Sequence, residues 1–294
     1  MSAIINVNGR ITPDRDAVVS ALDHGFLYGE GIYEVVRTYG HKPFLFDRHM
    51  ARLRRSAAFL SLTLPLTDVE FEARLRETAE VFFAQPDATE DVYVRILVTR
   101  GVGEINYNPA SCTTPTVVVI LKPFTPLPPH VYAQGVRAAL VPVLRNHPGS
   151  VSPLIKSNNL LNNALAAQEA YRRGAFEGIM RNYRNEISEG SISNVFVVRN
   201  GIVSTPPLDA GLLAGITRAF IIEIAPAAGI EIHEAPLHDA DLLQADESFL
   251  TGSTQEIVPL VQVDDREIGT GRPGPVTQAL QTAYKAARQR ILGK

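Results

Sequence analysis

One cysteine, Cys112, among 294 residues excludes an internal disulfide framework and fits a reducing compartment. Long apolar runs are missing as well. A membrane helix needs about 20 apolar residues, and Val117 to Leu121 is only strand-sized. The first residues, MSAIINVNGR, lack the basic start and apolar stretch of an export signal, so a cytoplasmic protein is expected. There is no excess of positive charge: 28 Lys and Arg stand against 31 Asp and Glu, for a net charge of −3. That balance gives no general attraction to nucleic acid or to an anionic membrane. Several catalytic signatures are also missing. Gly101-Val102-Gly103 opens like a dinucleotide fingerprint, but Asn106 stands where the third glycine belongs. His233 and His238 lack metal spacing, and no Gly-x-Ser-x-Gly elbow occurs. Metal, serine-triad and nicotinamide chemistry therefore have no support in the sequence.

What the chain does contain is enough for two domains and an ordinary core, with 45% hydrophobic and 20% charged residues. Strands are expected at Ile4 to Val7, Ile32 to Tyr39, Val92 to Thr99 and Thr116 to Leu121. Met50, Leu53, Ala57 and Leu60 recur at helical spacing behind Asp47, a candidate N-cap, and Thr67 with Glu70 forms a capping box for a second helix. Lys122 to Pro129, KPFTPLPP, holds four prolines in eight residues and reads as a stiff connector. Accordingly, 1–121 is expected to be a small N-terminal domain, 122–133 a Pro-rich linker and 134–294 a larger domain. Beyond the linker, strands and helices mix without strict βαβ alternation, which favours an α+β fold over a doubly wound sheet. Helices are expected from Leu160 to Arg173, Gly215 to Ala228 and Val276 to Leu292, and an Asn200-Gly201 hairpin joins two strands.

The chemistry centres on Lys156 in SPLIKSNNLLNN. It follows an apolar stretch and precedes a helix; partial desolvation lowers a lysine pKa, and the neutral amine is the form that condenses with a carbonyl. About thirty residues on comes Glu189-Gly190-Ser191-Ile192-Ser193-Asn194-Val195-Phe196, a carboxylate among small residues ahead of a strand. Such a carboxylate can keep a pyridine ring nitrogen protonated. Leu213-Ala214-Gly215-Ile216-Thr217-Arg218 puts small residues and a threonine at a helix start, where free N–H groups bind phosphate. Thr251-Gly252-Ser253-Thr254-Gln255 is a second hydroxyl-rich turn after a strand.

Taken together with Leu22-Asp23-His24-Gly25, Tyr28-Gly29-Glu30-Gly31-Ile32-Tyr33-Glu34 and Asp47-Arg48-His49-Met50-Ala51-Arg52-Leu53, these runs resemble the class IV aminotransferases, fold type IV of the pyridoxal 5′-phosphate enzymes. The resemblance spans nearly the whole chain. It implies a small N-terminal α/β domain, a larger C-terminal domain of mixed, barrel-like character, and a homodimer or higher oligomer with the cofactor between domains. It implies that Lys156 carries the cofactor as a Schiff base and moves the substrate proton, and that Glu189 holds the ring nitrogen. Arg52, Ile216, Thr217 and Ser253 would bind the phosphate; Tyr28, Tyr33, Tyr93, Arg95, Thr254 and Gln255 would meet the amino-acid and 2-oxo-acid substrates.

Val92-Tyr93-Val94-Arg95 is similar to the Tyr-x-Arg of branched-chain aminotransferases. An arginine fork can take the distal carboxylate of glutamate, while its stem lies beside an apolar chain. The Arg-x-His pair of D-amino-acid transaminases is missing after Val98-Thr99-Arg100-Gly101, and no threonine near Val35 suits an aminodeoxychorismate lyase. Against this, Asn159-Leu160-Leu161 after the lysine is closer to D-amino-acid transaminases, and Glu34-Val35-Val36 departs from the Glu-Gly of many branched-chain enzymes. The reading is a branched-chain L-amino-acid transaminase. A D-amino-acid or (R)-amine transaminase is the alternative, followed by a lyase or a non-enzymatic cofactor-binding protein.

Overall fold

A computed structural model describes residues 3–293. The chain divides into two compact units, Met1–Thr125 with Ile155–Asn159, and Pro126–Leu154 with Leu160–Lys294. The segment carrying Lys156 thus belongs to the first unit, although the chain reaches it only after entering the second.

The first unit is an antiparallel sheet backed by helices. Its strands are β1 (Ile4–Val7), β2 (Arg10–Pro13), β3 (Gly31–Tyr39), β4 (Lys42–Pro43), β5 (Val92–Thr99) and β6 (Thr116–Pro123), in the order β2-β1-β6-β5-β3-β4. A short helix α1 (His24–Leu27) precedes β3, and α2 (Phe46–Phe59) and α3 (Asp68–Phe83) follow β4. Alternation decides which side is covered: Ile32, Val36, Val94, Ile96 and Val119 pack with Met50 and Leu53 of α2 and Phe71 and Phe82 of α3. The capping box at Thr67 is present, with its hydroxyl accepting from Glu70 N and Glu70 reaching back to Thr67 N. Asp47 is not the N-cap of α2. The chain enters that helix through Leu45 in a left-handed conformation, and Asp47 sits inside the first turn, where it favours the helix dipole. Two residues of the expected connector, Lys122 and Pro123, instead extend β6, opposite Tyr93 and Val92.

The second unit opens with α4 (Pro129–Gln134), which the Pro-rich reading did not foresee; Pro129 stands at the first helical position, where the missing N–H costs nothing. Then come β7 (Val136–Leu140), α5 (Leu161–Arg172), β8 (Glu177–Arg181), β9 (Ile187–Gly190), β10 (Asn194–Arg199), β11 (Ile202–Thr205) and α6 (Ile216–Ile224). They are followed by β12 (Ile232–Glu234), α7 (Asp239–Leu243), β13 (Glu247–Gly252), β14 (Glu256–Val263), β15 (Arg266–Glu267) and α8 (Pro275–Leu292). The strands run β12-β11-β10-β13-β14-β7-β8-β9, with β15 beside β14. Pairs β11/β12, β14/β7 and β7/β8 are parallel and the rest antiparallel, so the sheet is mixed and the fold α+β. Strand β7 stops at Leu140. The helix expected to Ala228 ends as α-helix at Ile224 and finishes in a tighter turn containing Pro226. Phe196 and Phe249 stack at 4.8 Å, and Phe220 of α6 meets Tyr284 of α8 edge-on at 5.5 Å.

Candidate active site

In the first unit, β3 carries Glu34 on the face that otherwise holds Ile32 and Val36. A carboxylate buried there must be answered by hydrogen bonds and opposite charge. Arg52 answers with two, Nε to Oε1 at 2.7 Å and Nη2 to Oε2 at 2.7 Å. His49 Nδ1 lies 2.7 Å from Oε2. An ionised carboxylate only accepts, so this ring nitrogen bears the proton. His49, Arg52 and Ser56 follow i, i+3, i+7 spacing, which aligns them on one face of α2.

The same face fixes the lysine segment. Lys156 N donates to Ser56 Oγ at 3.1 Å, Tyr33 N donates to Lys156 O at 2.9 Å, and Asn158 N donates to Gly31 O at 2.8 Å. Residues 156–158 therefore lie along β3 as a short strand-like strip, with Ser157 opposite Ile32. The opposite, half-buried face of the sheet holds Tyr33 beside Tyr93 and Arg95 of β5. Lys156 Nζ lies 3.4 Å from Tyr33 Oη and 4.4 Å from that ring's centre, and the Arg95 guanidinium is 4.1 Å from the same centre. One aromatic plate thus carries both cations. Burial pushes the Tyr93 phenol up, partly offset by the Arg95 charge and hydrogen bond, so it stays protonated. Tyr28 is half-buried, edge-on to His24 at 4.9 Å and against Tyr107 at 5.0 Å.

In the second unit, Glu189 lies near the end of β9 and not in the turn, which comprises the residues after Gly190. Its Oε1 accepts from Arg145 Nε at 2.7 Å; Oε2 accepts from Leu213 N at 3.0 Å and from Asn194 Nδ2 at 3.4 Å. Asn194 Nδ2 also donates to Leu213 O at 3.1 Å, tying Glu189 to the segment that opens α6. That helix starts behind Gly215 with no side-chain cap, and Ile216 and Thr217 are buried at its entrance. Only glycine fits at 215, since a Cβ there would fall 2.0 Å from Asn194 Oδ1. Ser253 and Thr254 are half-buried in the turn between β13 and β14. Close by, Thr251 Oγ1 near the end of β13 and Gln255 Nε2 in the turn are buried without a protein partner. Among the described residues no group of His, Cys, Asp or Glu could hold a metal ion, and no helix is long and apolar enough to cross a membrane.

Sequence reasoning passed over Glu34, His49, Ser56 and Arg145. Only Glu34 leaves a readable trace, as the one charge on the apolar side of an alternating strand.

The buried trio of the first unit makes stability sensitive to acid. Burial alone would raise the Glu34 carboxyl, but the Arg52 charge and the hydrogen bonds from Arg52 and His49 hold it at about 2 instead of 4.5. Burial pushes His49 below its ordinary 6.5, against the pull of Glu34, so it is neutral in the fold. Both groups bind fewer protons folded than unfolded, and stability is therefore lost as pH falls. The loss starts below 6.5 through His49 and continues from 4.5 towards 2 through Glu34, whose share is about 3 kcal/mol. Between about pH 7 and pH 5 the urea midpoint should fall in the parent and fall much less in His49→Asn. Equal slopes would mean that His49 is already charged in the fold.

Residues 31–263 match the family model described as Amino-transferase class IV. A protein of Methanocaldococcus jannaschii, provisionally named a branched-chain-amino-acid aminotransferase, is 38% identical over 97% of this chain and 96% of its own length. The D-alanine aminotransferase of Bacillus licheniformis is 32% identical over 95% of this chain and 94% of its own. Among solved structures, the branched-chain amino acid aminotransferase of Thermobaculum terrenum, in its pyridoxal-phosphate holo form, superposes with a TM-score of 0.84 at 26% identity, covering 98% of this chain and 94% of that one. With a lysine beside an arginine-bearing aromatic face in one unit and a gripped carboxylate beside an uncapped helix start in the other, the chain belongs to the class IV aminotransferase family.

Proposed function

We propose that this class IV aminotransferase, a pyridoxal 5′-phosphate enzyme, moves the amino group of branched-chain L-amino acids to 2-oxoglutarate, as a cytoplasmic homodimer. The observation that carries the substrate class is the Tyr33 plate, with Lys156 Nζ at 4.4 Å and Arg95 at 4.1 Å from its centre. An apolar side chain can lie on that aromatic surface and the arginine stem, whereas a dicarboxylate can take the guanidinium fork. One face thus serves both partners of the exchange.

The residues fit the cofactor. The uncapped start of α6 with buried Thr217, and the unpartnered Thr251 Oγ1 and Gln255 Nε2, offer donors of the kind a phosphate or a carboxylate takes. Arg52, held in place by Glu34, would hold the phosphate with Ile216, Thr217 and Ser253. Glu189, itself set by Arg145 and Asn194, would hold the ring nitrogen in its protonated form. When bound, pyridoxal phosphate supplies a carbonyl for Lys156 and a ring that accepts electrons from the substrate carbon. Lys156 Nζ would then carry the proton across, with Tyr33 Oη beside it at 3.4 Å. Tyr28, Tyr93, Thr254 and Gln255 complete the substrate residues.

A D-amino-acid or (R)-amine transaminase is the second reading, favoured by Asn159-Leu160-Leu161 and by the likeness to the D-alanine enzyme. A panel of half-reactions, followed by the change in cofactor colour, separates the two. L-leucine and L-glutamate should react faster than D-alanine and an (R)-aryl amine, and the reverse order would discard the branched-chain reading.

Support for a homodimer comes from the exposed face of the first unit. Asp23 pairs with Val102, which brings Leu22, Phe26, Val102, Ile105 and Tyr107 into one neighbourhood. Phe26 is 76% and Tyr107 87% exposed, a heavy apolar load to leave in water. Sedimentation of the holoenzyme as a monomer would remove the assignment.

A further inference from the structure

Glu177, the first residue of β8, is 1% exposed and makes no ion pair among the described residues. A carboxylate taken out of water without a cation is costly unless many donors converge on it. Here five do. Oε1 accepts from the Ser191 hydroxyl, from Ser191 N at 2.9 Å and from Gly178 N at 2.9 Å. Oε2 accepts from Ser193 Oγ at 2.7 Å and from Ile192 N at 3.4 Å. Four of the five come from the turn 191–193.

That turn has Glu189 on one side and Asn194 on the other. Gly190 N closes it onto Ser193 O at 2.7 Å. A Cβ at Gly190 would lie 2.8 Å from the Glu177 carboxyl carbon and 2.3 Å from Ser193 Oγ, so the carboxylate packs directly on the backbone next to Glu189. Asn194 in turn bonds both Glu189 and the Leu213 carbonyl. The conformation of the turn therefore decides where the Glu189 carboxylate stands relative to the start of α6.

We propose that Glu177 is a positioning residue: its buried carboxylate clamps the turn 191–193 and thereby fixes Glu189 against the ring nitrogen of the cofactor. This rests on the reading of Glu189 as the ring-nitrogen partner. The carboxylate suits the task because it only accepts, and every group pointing at it is a donor. In Glu177→Gln an N–H would face hydroxyl and amide donors, and the turn must move to relieve it.

The test compares two ligands of the apoenzyme by equilibrium dialysis: pyridoxal phosphate, and its analogue with a C–H in place of the ring nitrogen. The ratio of their affinities reads the contact to the nitrogen and cancels general damage to the fold. Glu177→Gln should cut the parent's preference for the nitrogen compound by at least about fivefold, and Glu189→Gln should abolish it. Ser193→Ala, which removes one donor and leaves the buried carboxylate in place, should shift the ratio the same way and decides the matter if Glu177→Gln fails to fold. A uniform weakening of both ligands in Glu177→Gln, or an unchanged ratio in Ser193→Ala when Glu177→Gln fails to fold, with the preference lost in Glu189→Gln, would make Glu177 merely structural and overturn the proposal. A preference that survives Glu189→Gln would overturn the reading of Glu189 and the proposal with it.

Discussion

Replacing Lys156 by alanine is expected to lower transamination by at least about a thousandfold while leaving the protein folded. Both halves of this expectation come from the division of labour within the residue. The backbone of Lys156 makes the structural bonds, donating to Ser56 Oγ at 3.1 Å and accepting from Tyr33 N at 2.9 Å, and alanine keeps both. The amine alone reaches the Tyr33 face, so its loss would remove the proposed nucleophile and proton carrier together. Circular dichroism and the melting temperature should change little, and steady-state assays should fall to background. Substantial turnover by Lys156→Ala would move the chemistry to another residue.

Arg95→Ala should separate the two partners of the exchange. The guanidinium lies on the Tyr33 ring at 4.1 Å, and Tyr93 of the same strand hydrogen-bonds it. Under the proposed function, losing it would take a charge-assisted hydrogen bond from the distal carboxylate of 2-oxoglutarate, worth about 1.5–3 kcal/mol, and only apolar stem area from leucine. The 2-oxoglutarate half-reaction should therefore fall at least about tenfold more than the L-leucine half-reaction, mainly as a higher KM. Equal losses would make Arg95 part of the site for the common α-carboxylate, or of the framework alone.

Much of this was readable beforehand where one residue type performs one local task. Thr67 and Glu70 cap a helix by themselves, and Asn200-Gly201 makes its hairpin with both residues at positive φ. The face of β5 followed from alternation, with Tyr93 and Arg95 half-buried opposite Val92, Val94 and Ile96. What escaped reading depends on partners distant in the chain. Glu34 shows only as a charge on an apolar strand face, because nothing local reveals that Arg52 and His49 come to meet it from α2. Glu177 carries no local signal, since four of its five donors arrive from a turn 14 to 16 residues away. The start of α4 was obscured by the very prolines that suit it, because Pro129 denies a helix interior but favours a helix entrance.

The strip 155–159 has a consequence for the order in which the protein can be made. The first unit is continuous to Thr125, yet the N–H of Tyr33 and the carbonyl of Gly31 are paired only by residues 156 and 158. A nascent chain halted at residue 125 would hold a sheet in which the Gly31–Tyr33 part of the β3 edge is bare, beyond the reach of β4, and such an edge invites pairing with other chains. Synthesis must run through 29 residues of the second unit, Pro126 to Leu154, before that edge is closed. Lys156 is thus delivered as the last stitch of the unit that holds it, so a first unit with its edge sewn shut already carries its amine.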